Sequence, residues 1–384
     1  MILKKIITVL ILMGIIFSSV HINLGYAAKE KPVVYWAGNV YYMGDSHDKL
    51  LERAGVREAI AADITSKLKA LEAANKLPFE LKTVSNLPSN TRENFSDEVV
   101  IGLIPLVLLD ESFESHFNVG EQYYYKAIVA SAIHMAICVA DPDTQGWRII
   151  ASVPMEGASV KGTVDSPITE AIPYQQEIDW FIELNHNIIQ KQLDFKKVEK
   201  LLRDIEKKQV DPITYQVTSV DMSSQGANEV FGEQAGAVKA VIGNFFTSAF
   251  QKKTGCLMYP PMISESYARI VGDGLRAFTW HSPSDTIEVT FPEPRHKIKL
   301  DFSGVASQEV KRKDESFARR DVIYKVWLKG NMDGKAPVTL DTYTTRNFPG
   351  VGSSSQFDIP EEDTYMELMT ELPKEMANKL AKME

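Results

Sequence analysis

The sequence predicts an α+β protein of two tandem domains, each a mostly antiparallel sheet covered by a main amphipathic helix, joined by a helical connector. Three observations predict it. β-type runs dominate and come in hairpin pairs. Two helices with apolar stripes, centred near Ile64 and Phe245, each follow a strand. The order strand, helix, strands, long hairpin then occurs twice, the pattern of a remote internal duplication.

The chain opens on a leader. Lys4 and Lys5 precede an apolar run from Ile6 to Val20, and a short polar stretch ends in Gly25-Tyr26-Ala27-Ala28. These are the three parts of a secretory signal peptide, with cleavage expected after Ala27 because Ala27 and Gly25 put small residues at both selective positions. An uncleaved anchor is the competing reading. The run falls short of the roughly 18 to 20 residues that span a bilayer, and His21 and Asn23 follow it. No cysteine stands at the cleavage point for a lipid anchor.

Pro32 to Tyr42 reads as a strand and Met43 to Ser46 as a turn. Val56, Ile60, Ile64, Leu68 and Leu71 form the stripe of a helix from about Lys49 to Leu77, stopped by Pro78. Phe79 to Val84 follows as a strand, and the apolar Val99 to Leu109 suits a buried strand or short helix. Tyr123 to Ala140 and Trp147 to Pro154 flank the turn Asp141 to Gly146 as a hairpin. Residues 174–208 are helical with a narrow seam (Phe181, Leu184, Ile188, Phe195, Val198, Leu202, Ile205), and Asp194 can cap a second helix.

The second half repeats the pattern with a strand at Ile213 to Met222 and a helix from about Glu233 to Lys252, striped by Val238, Val241, Ile242, Phe245 and Ala249 and stopped by Gly255. Strands follow at Cys256 to Tyr259, Thr286 to Phe291 and Lys297 to Phe302. A hairpin then joins Arg320 to Leu328 with Pro337 to Tyr343 across the turn Lys329 to Gly334. After a Gly/Ser linker, Met366, Met369, Leu372, Met376 and Leu380 edge a helix expected to break or restart near Pro373. The divisions are therefore a signal peptide at 1–27, a first domain at 32–172, a connector at 173–210, a second domain at 213–348, and a linker with a Met-lined helix at 349–384.

The run Ala130 to Pro154 (ASAIHMAICVADPDTQGWRIIASVP) resembles the hairpin of CsgG-like curli-secretion domains and of the related amino-terminal domain of TolB, with Asp141, Thr144 and Gly146 in the turn. Val33 to Leu71 sits where such domains place their first strand and helix. Two of them in tandem after a leader are similar to the layout of the flagellar assembly protein T family. The resemblance covers about residues 32–155 and, more faintly, 213–345. It implies a periplasmic or surface assembly module. The lipidated terminus and membrane-spanning hairpins of the pore-forming type have no counterpart in this sequence, and the resemblance carries no catalytic or cofactor residues.

Composition excludes several classes. The net charge of −9 becomes two units more negative without the lysines of the leader, so nucleic acid and anionic lipid are poor partners. Cys138 and Cys256 are the only cysteines; both are expected as thiols, Cys138 as a small hydrophobe within an apolar run. Gly350 to Ser355 lacks the Gly-x-Ser-x-Gly of a nucleophile elbow, and there is no Walker loop, Gly-x-Gly-x-x-Gly or Cys-x-x-Cys. His281, Ser282, Ser284 and Asp285 collect the residue types of a triad and support the alternative of an exported hydrolase, against the plainer reading of a polar loop. Asp45, His47 and Asp48 are the tightest metal candidates, without a second cluster. His134 alternates with apolar neighbours as a core histidine, while His116, His186 and His296 are isolated.

Tyr35, Trp36, Tyr41 and Tyr42, and Tyr123, Tyr124 and Tyr125, are candidate binding aromatics against a competing role in core packing. No catalytic, cofactor-binding or metal residue is assigned and no cofactor is expected. The expectation is a non-enzymatic exported protein of the periplasm, cell envelope or exterior. Its partners would be proteins or further copies of itself, as in a secretion or appendage apparatus.

Overall fold

The computed structural model describes residues 31–44, 49–84, 100–119, 122–141, 146–164, 174–205, 214–222, 224–263, 277–281, 286–313, 318–349 and 361–384. The expected leader, the Asp45 to Asp48 stretch and Ser282 to Asp285 lie outside them. The protein is α+β, with two sheets.

The first unit starts with β1 (Val33–Trp36) and β2 (Tyr41–Tyr42), then α1 (Val56–Ala73) and β3 (Glu80–Thr83). Three long strands follow, β4 (Ile101–Val119), β5 (Gln122–Asp141) and β6 (Gly146–Val164), and then α2 (Tyr174–Gln192) and α3 (Glu199–Ile205). α1 is shorter than the stripe predicts because Leu50–Glu52 form a 3-10 turn, set off by Lys49 and Gly55 at positive φ. Val56, Ile60, Ile64 and Leu68 bury its inner face as expected. Asp194 accepts a hydrogen bond from the Lys196 amide at 3.0 Å where the helical stretch restarts.

The second unit runs β7 (Thr214–Asp221), α4 (Gln225–Phe231), α5 (Ala235–Thr254) and β8 (Leu257–Met258). Next come β9 (Ala277–His281), β10 (Thr286–Thr290), β11 (His296–Lys313), β12 (Ala318–Met332), β13 (Val338–Pro349) and α6 (Glu361–Leu380). Gly255 closes α5 at φ 73.

Both units have one topology. In the first, β1 pairs in parallel with β3 on one side and β4 on the other, and β4, β5 and β6 form an antiparallel meander. In the second, β7 stands in the place of β1, β8 of β3, and β11, β12 and β13 of the meander. The β5–β6 and β12–β13 strand pairs therefore hold equivalent places in the two strand orders. The antiparallel ladders are the long ones, and the parallel pairs are short and cluster where a crossover helix leads back into the sheet.

The layers stack in the order helices, sheet, helices, sheet. α1, α2 and α3 cover one face of the first sheet, with Phe181, Ile188, Phe195, Val198 and Leu202 in its core. Gly157 on β6 lets α2 approach, since a Cβ there would lie 3.0 Å from Ile188. The opposite face of the first sheet, through Leu109, Phe113, Ile128, Ala130 and Ala132, shares a core with α5, α6 and the second sheet. A third cluster of Ile104, Leu106, Ala136, Cys138, Trp147, Tyr259 and Phe291 extends that face.

Three expectations are corrected. α5 is buried on all sides, not along one stripe, because a sheet lies on each side of it. The strands at 277–290, placed by the sequence in the second domain, complete the first sheet, where β10 pairs in parallel with the β6 edge. α6 runs through Pro373 without a break: Met369, Leu372, Met376 and Leu380 are buried on both sides of the proline, and that burial offsets the roughly 3 kcal/mol a helix-interior proline costs.

Candidate functional site

The polar groups between the units look most like chemistry. His134 is 1% exposed, and its Nδ1 lies 3.3 Å from Ser152 Oγ, which donates to the Met258 carbonyl at 2.8 Å. Since the hydroxyl proton is committed to Met258, Ser152 accepts from an Nδ1–H imidazole. Burial pushes the His134 pKa down to about 3, and a hydrogen bond with the Asn244 side chain opposes this weakly. Gln251 of α5 donates to the Ser152 carbonyl at 3.0 Å and accepts from the Met258 amide at 3.1 Å. An imidazole this weakly basic, sealed from solvent and paired with a hydroxyl already bonded elsewhere, is a fastener between sheet and helix and no base–nucleophile pair.

Asn244, Thr247, Ser248 and Gln251 recur at helical spacing along α5 and are all buried. A sequence reader assigns such a stripe to solvent. Here it meets the first sheet, through Gln251 on the Ser152 carbonyl and Ser248 on Glu156.

The other candidates disperse. Cys138 and Cys256 are free thiols, the first buried, with its pKa pushed up by burial. His186 Nδ1 sits 2.9 Å from Asp63, joining α2 to α1 at the surface, and His296 stacks on Tyr215 at 4.5 Å. Among the described residues no group of three or more His, Cys, Asp or Glu is placed to hold a metal. Asp45, His47, Asp48, Ser282, Ser284 and Asp285 lie outside those residues, as do the side chains of His116 and His281. Of the aromatic runs, Trp36 donates to Thr65, Tyr125 donates to Glu177 at 2.6 Å, and Tyr41 is core, so these serve packing. The Tyr123 and Tyr124 side chains are outside the described residues.

The second sheet offers a different surface. Its inner face packs on α5 and α6 through Val217, Leu300, Phe302, Val326 and Leu328. Strand alternation sends Ile323, Lys325, Trp327 and Lys329 of β12, and Thr339, Asp341, Tyr343 and Thr345 of β13, to the outer face. Trp327 lies against Gly304 of β11, where a Cβ would come within 3.2 Å of the ring. Lys325 Nζ is 5.2 Å from the Trp327 ring centroid and 2.5 Å from Asp341. That lysine, first through its hydrogen bond and then its charge, holds the Asp341 carboxyl below its usual range. Tyr343 is 67% exposed. The equivalent face of the first sheet is buried under α5 and α6. Sequence reasoning missed Trp327 and Tyr343, although the alternation in both strands marks them as facing away from Val326 and Leu328.

No known protein family and no curated protein matches the chain. Solved structures with similarity include a neuraminyllactose-binding hemagglutinin homologue from Helicobacter pylori, at 11% identity over 47% of this chain and 91% of that one, TM-score 0.29. Another is the rare lipoprotein B of Shewanella oneidensis, at 12% identity over 43% and 89%, TM-score 0.17. A minor lipoprotein of Acinetobacter baumannii follows at 10% identity over 46% and 94%, TM-score 0.18. Likeness this distant carries no functional argument. Among the described residues no helix is long and apolar enough to cross a membrane.

Proposed function

We propose that this chain is an exported, non-enzymatic module of the bacterial envelope that binds a protein partner or assembles, and that it docks through the outer face of its second sheet. One observation carries this: the matching face of the first sheet is a docking surface already, occupied by α5 and α6, while among the described residues no helix or strand covers that face in the second unit, where Trp327, Lys325, Asp341 and Tyr343 lie. Aromatic groups beside a charged pair supply contact area and orientation together. The leader-like start and the resemblance to tandem CsgG-like and TolB-type domains support the envelope setting.

The test is comparative capture from envelope fractions with the mature chain and with Trp327→Ala and Tyr343→Ala. A partner held by the wild type and released by both variants, at unchanged thermal stability, is the expected result. A retained set identical for all three chains counts against the outer face as the docking surface.

A further inference from the structure

The two sheets end in four outermost strands, and three are short: β3 (Glu80–Thr83), β9 (Ala277–His281) and β8 (Leu257–Met258). β3 also carries Glu80 and Lys82, the charges that discourage strand addition. β13 differs in length and regularity. It runs from Val338 to Pro349, and its register with β12 continues without a bulge. It holds no lysine, and its only proline is the terminal one. Among the described residues nothing pairs with its outer side. Long, regular edges without lysine or an internal proline recruit strands.

The chain shows what such an edge does. β6 is the topological counterpart of β13, and β10 adds to its edge at one end, through Val289 opposite Trp147 and Thr290 opposite Arg148. The second unit has no such strand among the described residues.

We infer that β13 is the self-association edge of this protein, pairing antiparallel with β13 of a second copy so that the two five-stranded sheets become continuous across a two-fold axis. The sequence favours a second copy over a foreign strand because β13 complements itself. Centred on Thr342, the pairing sets Tyr343 against Asp341 of the other copy, Leu340 against Thr344, and Arg346 against Val338, with no like charges opposed. A Tyr343 from each copy then flanks the seam on the outer face. The inference rests on the proposed docking role of the second sheet and names its occupant.

The experiment is sedimentation of the mature chain over the micromolar range, with hydrogen exchange of β13 amides at each concentration. The expected result is a dimer whose β13 amides gain protection as it forms. Tyr343→Asp, which opposes two pairs of acids in this register, should return the chain to a monomer at unchanged stability. Tyr343→Lys, which meets Asp341, should stay dimeric. A wild-type monomer throughout, or a dimer that Tyr343→Asp leaves intact with β13 exchange independent of concentration, overturns the inference. So does β13 protection that appears only on adding envelope extract, which assigns the edge to a foreign strand. A monomer that still captures a partner through Trp327 defeats self-pairing alone, whereas a dimer with no Trp327-dependent capture defeats only the partner reading.

Discussion

Lys126 Nζ of β5 lies 2.9 Å from Glu367 Oε1 of α6, and Arg346 of β13 takes the other carboxylate oxygen, so one acid ties the first sheet, the last helix and the second sheet together. Burial pushes the Glu367 carboxyl up. The hydrogen bonds from Arg346 and Lys126 outweigh it and hold the group below its usual range.

Replacing Glu367 with Gln is therefore expected to cost about 1 to 2 kcal/mol by urea unfolding, since two cations lose their shared negative charge and the amide leaves one acceptor oxygen for both in a partly buried place. Lys126→Met should cost less, because Arg346 still pairs. The sign with pH follows from a depressed carboxylate: the contribution is present above the unfolded value and is lost as pH falls through the folded one. A Glu367→Gln deficit that is the same at pH 3 and pH 7 would refute the linkage.

Gly330 and Met376 show how closely α6 sits on the second sheet: a Cβ at Gly330 would fall 2.7 Å from Met376 Sδ and 3.0 Å from Leu380 Cδ1. Gly330→Leu should destabilise by about 1 to 3 kcal/mol through overpacking. Gly330→Ala should cost less, because the methionine tip can turn aside. Gly330→Ala combined with Met376→Ala should then be less damaging than the sum of the two single changes, a coupling readable in a double-mutant cycle. Strict additivity would show that the helix does not rest on this glycine.

Much of the fold was legible because burial leaves periodic traces. Val56, Ile60, Ile64 and Leu68 mark α1 one turn at a time, and Gly255 marks the end of α5. Strand ends were less legible. β4 and β11 run well past their predicted limits through segments such as Asp110–Ser112, where acids and serines sit inside the sheet. The stacking of the two units was hidden, because the polar stripe Asn244 to Gln251 has the spacing of a solvent face whether water or a sheet meets it. The outer face escaped notice for the opposite reason: Trp327 between Val326 and Leu328 reads as core until the register sends it outward.

His134 gives the interface between the units an acid limit. With its pKa lowered to about 3 by burial, the folded protein keeps the ring neutral where the unfolded chain, near 6.5, takes up a proton. Stability from this group is complete above pH 6.5 and declines toward pH 3, by an amount bounded at about 4 to 5 kcal/mol for a shift of that size. His134→Asn, which keeps a donor toward Ser152, should flatten the acid arm of a stability–pH profile while costing stability at pH 7. A variant whose acid arm matches the wild type would place the loss elsewhere.

Glu156 acts on the same interface with the opposite sign. It stands on β6, where its amide and carbonyl bond Gln192 of α2 at 3.2 Å and 2.6 Å, and its carboxyl turns toward α5 and α6. Burial raises its pKa to about 7. Hydrogen bonding with Ser248 and the charges of Lys374 and Lys252 oppose the rise without cancelling it, and Oε2 is buried without a hydrogen-bond partner. The folded protein thus holds a proton that the unfolded chain releases near 4.5, so the stabilisation is full below that value and is lost as pH rises through 7. Gln at this position keeps the shape and removes the ionisation. Glu156→Gln is expected to melt higher than the wild type at pH 8, by at most about 3 kcal/mol of stability, and to converge with it near pH 4.5. The measurement is a pair of thermal unfolding series across that range. If the variant is less stable at pH 8, the charged carboxylate is held by Lys252 and Lys374 as a working ion pair, and the assignment of a neutral acid at this junction fails.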